Sequence, residues 1–323
     1  MANKMIAALS EGDKVEIPLL VKEKTLLDQK NRAGKYMHLL LSDNSGEINA
    51  YVWDNTEEMS KRCTTGKVSV FKGDVISYRE SLQLRVVGVR WPLNGEVAMD
   101  DFVPLAPRPI KEMESDLLNL IDSMQKGIWK DIAENFVLSD YFPAFCRGTA
   151  AKMFHHNYMG GLLEHTLGVM KVVDHLSQIY VDTDRELMIL GALLHDIGKI
   201  EEMEFIPGIC YTDAGRLLGH IVLGLQMAEK ILSVAAGLTE EQKTMVLHII
   251  ASHHGEYEWQ SPKRPQFVEA KLVHMADMLD AEVYKYASAR PDEAGSKWSL
   301  PVKGIGEPVF IGARQAVVQQ SEE

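Results

Sequence analysis

Cysteine is scarce in this chain: there are three in 323 residues, Cys63, Cys146 and Cys210, odd in number and far apart. That excludes a disulfide framework and a Cys-type zinc site, and leaves the three as packing residues. Long apolar runs are missing too. None approaches the roughly 20 residues needed to span a bilayer, and Met1 to Ser10 lacks the apolar core of a signal peptide, so a cytoplasmic protein is expected. Positive charge is short as well, with a formal net charge of -12. The deficit is local: residues 1–110 carry 15 Lys+Arg against 15 Asp+Glu, whereas residues 111–323 carry 19 against 31. An acidic surface repels phosphate at long range. Any polyanion must therefore be held by local basic groups, by metal, or by the neutral first part of the chain.

What is present is ordinary for a globular protein with room for two domains, 46% hydrophobic and 25% charged. After a short extension (1–12), residues 13–92 read as strands: Val15 to Val21, Tyr36 to Ser42, Glu47 to Trp53, Val68 to Tyr78 and Leu82 to Arg90, with a turn at Asp43-Asn44-Ser45-Gly46 and a polar helix from Thr56 to Cys63. Five strands with a helix between the third and fourth is the order of an OB-fold, a small Greek-key barrel that often binds oligonucleotides; an SH3-like barrel is the other five-stranded solution. Aromatic and basic residues mix here: Lys35-Tyr36, Tyr51, Trp53, Phe71-Lys72, Tyr78-Arg79 and Arg85. Bases stack on aromatics and cations track the backbone, which makes Lys35, Tyr36, Tyr51, Trp53, Phe71 and Arg85 the nucleic-acid-binding candidates. Aromatics in strands are more often core. Tyr51 and Trp53, two apart, share one face, inside or outside the barrel.

A Pro-rich linker (93–110) precedes a helical period over 111–290 and an extension over 291–323. At its centre stands Leu193-Leu194-His195-Asp196-Ile197-Gly198-Lys199, which ends an apolar run. A carboxylate in an apolar setting costs several kcal/mol unless it is paired or binds metal, and imidazole is the commonest metal ligand. An isolated His-Asp pair at a helix end, with Gly198 as the C-cap, would be read as structural. Its company argues otherwise. His165 lies between Leu162 and Val169 on an inward stripe, His220 between Leu217 and Gly224, His253-His254 close a helix opened by the capping box Thr239-Glu240-Glu241-Gln242, and Asp277 follows Val273 by one turn. Packed as a bundle, five helices would bring these residues together.

This series, with Leu-Leu-His-Asp-Ile-Gly-Lys at its heart, resembles the HD superfamily of metal-dependent phosphohydrolases. Joined to an OB-like barrel, and with His155-His156-Asn157-Tyr158-Met159-Gly160-Gly161-Leu162-Leu163-Glu164-His165-Thr166 and Leu218-Gly219-His220-Ile221, it is similar to the YhaM-type 3′→5′ exoribonucleases of bacteria, from about residue 13 to 290. The fold class implied is an N-terminal five-stranded OB-fold barrel followed by an all-α HD bundle. The ligand count supports two divalent transition-metal ions, one held by His165, His195, Asp196 and Asp277, the other sharing Asp196 and completed by His220, His253 and His254. Such ligands suit Mn, Fe, Co, Ni or Zn, and the resemblance leans to Mn. Two ions can activate water and clamp a phosphate for in-line displacement.

Asp196 is thus both ligand and catalytic residue. By similarity to related phosphodiesterases His156, or His155 in its place, is a candidate general acid. Lys199 and Arg216, the latter four before His220, are candidate phosphate-binding groups, each weighed evenly against a solvent-facing role, and Glu164 reads as support for a ligand. The expected activity is 3′→5′ trimming of single-stranded RNA, or of DNA, to nucleoside monophosphates by a chain that is a candidate homo-oligomer. The alternatives are an HD enzyme for cyclic dinucleotides or small nucleotides, and a non-catalytic single-strand-binding or replication factor.

Overall fold

The computed structural model describes residues 5–29, 34–78, 81–103, 106–151, 156, 158–205, 209–291, 296–302 and 304–312. Arg79, His155, Leu105 in the linker and the segment 313–323 lie outside the described residues. The chain divides into two units, 1–105 with 204–210, and 106–203 with 211–323.

The first unit is built on strands β1 (Lys14–Asp28), β2 (Lys35–Asp43), β3 (Gly46–Val52), β4 (Val68–Tyr78) and β5 (Ser81–Arg90), with α1 (Thr56–Ser60) between β3 and β4. They close in the order β1-β2-β3-β5-β4, with β1 returning to β4 and only β3–β5 parallel. That is OB-fold order. Strand β1 is twice the expected length because a bulge between Val21 and Glu23 bends it. Its first half pairs with β4 and its second with β2. The second half, Lys22–Asp28, is exposed on both faces, so it carries none of the alternation by which a strand is read from sequence. Inward residues Met37, Leu39, Leu41, Ala50, Val52, Phe71 and Leu84 are fully buried and fill the barrel.

The second unit begins with α2 (Ile110–Asp122), α3 (Ile128–Val137), α4 (Tyr141–Arg147), α5 (Gly161–Ile179), α6 (Arg185–Leu194) and α7 (Lys199–Glu202). A hairpin of β6 (Met203–Phe205) and β7 (Ile209–Tyr211), whose residues 204–210 group with the first unit, precedes α8 (Asp213–Ser233), α9 (Glu240–Ser252) and α10 (Val268–Ala287). Strands β8 (Trp298–Pro301) and β9 (Pro308–Phe310) form a second hairpin. The region is helical as expected, and the short hairpins add strands of three or four residues, too short to show a period in sequence. Helix α6 is buried along its whole length from Leu187 to Leu194, and α2, α3, α5, α8, α9 and α10 supply the core around it. No helix among the described residues is long and apolar enough to cross a membrane.

Cys63 lies in the barrel core and Cys146 in the helical core. Burial pushes each thiol up to about 12, leaving almost no thiolate, the reactive form, at pH 8. Iodoacetamide at pH 8 is expected to spare both in the folded protein and to modify both after denaturation, as read by peptide mass spectrometry. Alkylation of either in the native state would show that these cores open.

Candidate metal centre

Each of the seven candidate ligands reaches the centre of the helical unit by a local device. His165 is fully buried on α5 between Leu162 and Val169. His195 continues the helical backbone past α6, and Asp196 follows it, 2% exposed. Gly198 is in ordinary helical conformation, not the left-handed one of a C-cap glycine. Its role is to be small. A Cβ there would lie 2.0 Å from the His220 carbonyl oxygen and 2.4 Å from the Gly224 nitrogen, so Gly198 lets α8 pack directly against the His195-Asp196 turn.

His220 arrives differently from the expected inward stripe. Helix α8 is broken at Gly219 (φ 73°, ψ 162°), a left-handed-side conformation that favours glycine. Leu217, before the break, is 82% exposed, whereas Ile221 after it is buried. The same break undoes the one-turn relation of Arg216 to His220. Arg216 is exposed and does not line either of the two clefts that open onto the cluster. Helix α9 opens with the expected capping box of Thr239 and Gln242 and ends at His253-His254. Asp277 extends from α10 one turn after fully buried Val273.

The two oxygens of Asp196 face different donor groups. Oδ2 lies 3.3 Å from His195 Nε2 and 3.5 Å from His165 Nε2, and His165 Nε2 is 3.2 Å from Asp277 Oδ1. Oδ1 lies 3.5 Å from His253 Nε2 and 3.6 Å from His220 Nε2, which in turn is 3.2 Å from His254 Nε2. All five imidazoles present Nε2 because Nδ1 is held elsewhere. The Nδ1 partners are Ala192 O for His195 (2.7 Å), Ile250 O for His253 (2.7 Å), Trp259 O for His254 (2.8 Å), Glu202 Oε1 for His220 (3.1 Å) and Asp280 Oδ2 for His165 (2.7 Å). Anchoring of this kind fixes the tautomer and orientation of metal-ligating histidines.

The donor set fits divalent ions. Among the described residues, the buried side-chain atoms without a hydrogen-bond partner are Thr166 Oγ1, Asp196 Oδ1 and His253 Nε2, and the last two face one another. Buried polar atoms are rarely left unpaired, and a cation answers both. Burial holds His253 and His254 below the ordinary imidazole pKa, so their Nε2 lone pairs are free at neutral pH. Burial opposes charge on His165 too, but Asp277 and Asp280 outweigh it and hold its pKa at about 9. Burial would raise Asp196 and Asp277, yet Lys199 and the surrounding histidines keep Asp196, and the same histidines keep Asp277, well below the usual carboxylate range. Positive charge is what this cluster attracts.

His156 is corrected from its expected place. It is 5% exposed, and its Nε2 is 3.2 Å from Asp280 Oδ2 while its Nδ1 is 2.8 Å from the Tyr158 hydroxyl, which donates to Glu164 Oε2 at 2.6 Å. His156 thus stands behind His165, both ring nitrogens engaged, and Glu164 stands one step further out. His156, His165 and Asp280 also cluster as three donors, but both imidazoles point at one Asp280 oxygen, which makes the group a hydrogen-bonded support. Sequence reasoning missed Asp280 and Glu202. The spacing of Asp280, three after Asp277 on one helix face, was the available signal for the first; Glu202, 18 residues from His220, left none.

Two clefts open onto the cluster. One, of about 340 Å³, has Asp196, His253 and Asp277 at its base, with Lys199, Trp259 and Lys285 around them. The other, of about 330 Å³, reaches His220 and His254 beside Gly219, Tyr211 and Lys199. Lys199 lines both, its Nζ 2.5 Å from Asp196 Oδ2.

In the barrel unit, Tyr36, Tyr51 and Trp53 lie on the outer face. Tyr36 and Trp53 stack at 4.6 Å between centroids and 15°, Tyr51 lies 6.2 Å from Trp53, and His38 stacks on Tyr51 at 4.9 Å. Arg85 is paired in register with Tyr51 and donates to Asp74 at 2.7 Å, and Lys35 is exposed beside Tyr36. Phe71 is corrected: it points inward, fully buried, because β4 turns that alternate position toward the core.

The HD domain family model matches residues 162–282, a span that contains all seven cluster residues together with Glu202 and Asp280. The helical unit thus contains an HD domain. The chain is 34% identical over 311 residues to the 3′-5′ exoribonuclease YhaM of Bacillus licheniformis, covering 93% of this chain and 96% of that one. It is 31% identical over 285 residues to the protein of the same name from Bacillus pumilus, covering 87% and 88%. The chain belongs to the YhaM 3′-5′ exoribonuclease family. Among solved structures, the second OB-fold domain of replication protein A from Methanococcus maripaludis is 20% identical, covering 28% of this chain and 93% of that one with a TM-score of 0.24; the barrel assignment rests on strand order.

Proposed function

We propose that this chain is a cytoplasmic, metal-dependent 3′→5′ exonuclease that removes nucleoside monophosphates from single-stranded RNA. The observation that carries the reading is the buried Asp196 carboxylate, each of whose oxygens faces its own set of anchored imidazoles. His165, His195, Asp196 and Asp277 would hold one ion and Asp196, His220, His253 and His254 a second, with Mn favoured by family. When bound, such ions supply Lewis-acid activation of water and of the phosphoryl group. The chain's own residues do the rest. Lys199, ion-paired with Asp196, offers Nζ to a phosphate oxygen and offsets the charge that develops during displacement. With both ring nitrogens of His156 engaged, Lys199 Nζ, Lys285 Nζ and solvent are proton sources that the cleft above Asp196 offers the leaving 3′-oxygen.

The stacked Tyr36, Tyr51 and Trp53 favour a strand over a small nucleotide as substrate, since successive bases stack on such a row. Trp53→Ala is expected to weaken binding of a single-stranded oligoribonucleotide about tenfold, measured by fluorescence anisotropy; unchanged affinity would remove that face from the substrate path. Digestion of a 5′-labelled oligoribonucleotide with Mn tests the whole reading. A ladder shortening from the 3′ end is expected, and a strand left intact across Mn, Fe, Co, Ni and Zn would overturn it.

A further inference from the structure

The cleft above Asp196 has one wall that the metal cluster does not explain. Trp259 lies on it, in a single 3-10 turn (Tyr257–Trp259), half exposed. The position of that ring is tied to the cluster through the backbone, because the Trp259 carbonyl is the acceptor that orients His254. Its ring lies 6.4 Å from that of buried His274, tilted by 35°, and its exposed part borders the cleft. Met278, Ala281 and Lys285, all on α10, also line the cleft, and Lys285 is held at 2.5 Å by Glu282. At about 340 Å³ the space is at the small end for a ligand site, which ranges over about 300–1,000 Å³. That is room for one nucleotide rather than a length of strand.

We infer that Trp259 is the stacking platform for the 3′-terminal nucleobase, placing the last phosphodiester over Asp196 between Lys199 and Lys285. This rests on the exonuclease reading above and names how that site grips its substrate. Stacking is available to every base, because each has a π-face. The platform therefore positions any 3′ nucleotide without reading sequence, as a degradative enzyme requires.

The test compares wild type, Trp259→Ala and Trp259→Phe on two 5′-labelled oligoribonucleotides with Mn, one with an ordinary 3′ nucleotide and one whose 3′-terminal residue is abasic. Metal content is measured alongside, and is expected to be unchanged because the carbonyl that holds His254 is retained. On the ordinary strand Trp259→Ala is expected to raise KM about tenfold, with Trp259→Phe recovering most of the loss. On the abasic strand the first cleavage by wild type is expected to slow to the level of Trp259→Ala, which itself loses nothing more. Equal losses on both strands, or none on either, would overturn the stacking role while leaving the exonuclease intact. A wild type that shortens neither strand would instead overturn the activity on which it rests.

Discussion

Asp196→Asn is expected to lose bound metal and hydrolysis together: metal content falls from about two ions per chain, and the rate drops by more than the roughly 10²- to 10³-fold typical of deleting one electrostatic stabiliser. The reason is geometric. Oδ1 and Oδ2 each lie 3.3–3.6 Å from imidazole Nε2 atoms of opposite halves of the cluster, and an amide has only one oxygen to offer. Its NH₂ would face lone pairs on whichever side it turned. Asparagine is preferred to alanine because the carboxylate also receives Lys199, whose side chain is only 10% exposed. Removing one partner of a buried ion pair costs about 3–5 kcal/mol, and an amide oxygen can still accept from Nζ. Inductively coupled plasma mass spectrometry, the 5′-labelled ladder and the thermal midpoint are read on the same preparation. A folded variant that keeps both ions and cleaves normally would show that Asp196 is not shared. Chelation of the wild type should abolish activity and added Mn restore it.

Much of this site was legible in the sequence because several of its candidate ligands sit on helices whose apolar stripes say which way they face. His165 between Leu162 and Val169, and His253 at the end of a helix opened by a capping box, follow from period and capping alone. His220 was found for a reason the structure does not support. The unbroken stripe through Leu217 does not exist, and a single glycine torsion at Gly219 brings the imidazole inward. Torsions of that kind leave no periodic trace. Likewise Phe71 and Tyr51 are both strand aromatics near basic residues, and only closure of the barrel decides that one is core and the other surface. The second half of β1 was unreadable because a ribbon exposed on both faces has no alternation. Gly198 looked like a helix cap, whereas its small size matters because the α8 backbone lies against it, a long-range contact that local pattern cannot carry.

Asp280 was passed over for a related reason: a support residue contacts ligands, not metal, and its effect is expected to be smaller than that of Asp196 but specific to one half of the centre. Asp280 Oδ2 accepts from His165 Nδ1 at 2.7 Å and lies 3.2 Å from His156 Nε2. With Asp277 it outweighs the burial that would otherwise strip His165 of its charge. Asp280→Ala frees the His165 ring to change tautomer and to rotate, and losses of a supporting carboxylate typically cost 10- to 100-fold in metal affinity or activity. The expected result in a Mn titration is one weakened site and one of wild-type affinity, because His220, His253 and His254 are anchored by Glu202 and by main-chain carbonyls that the substitution does not touch. Asp280→Asn should fall between the two, since the amide oxygen retains the bond to His165. The mirror variant, Glu202→Ala, should weaken the other half instead. Uniform loss of both ions in either variant would mean that the two halves do not bind independently, and that Asp196 couples them so tightly that the centre loads as a single unit.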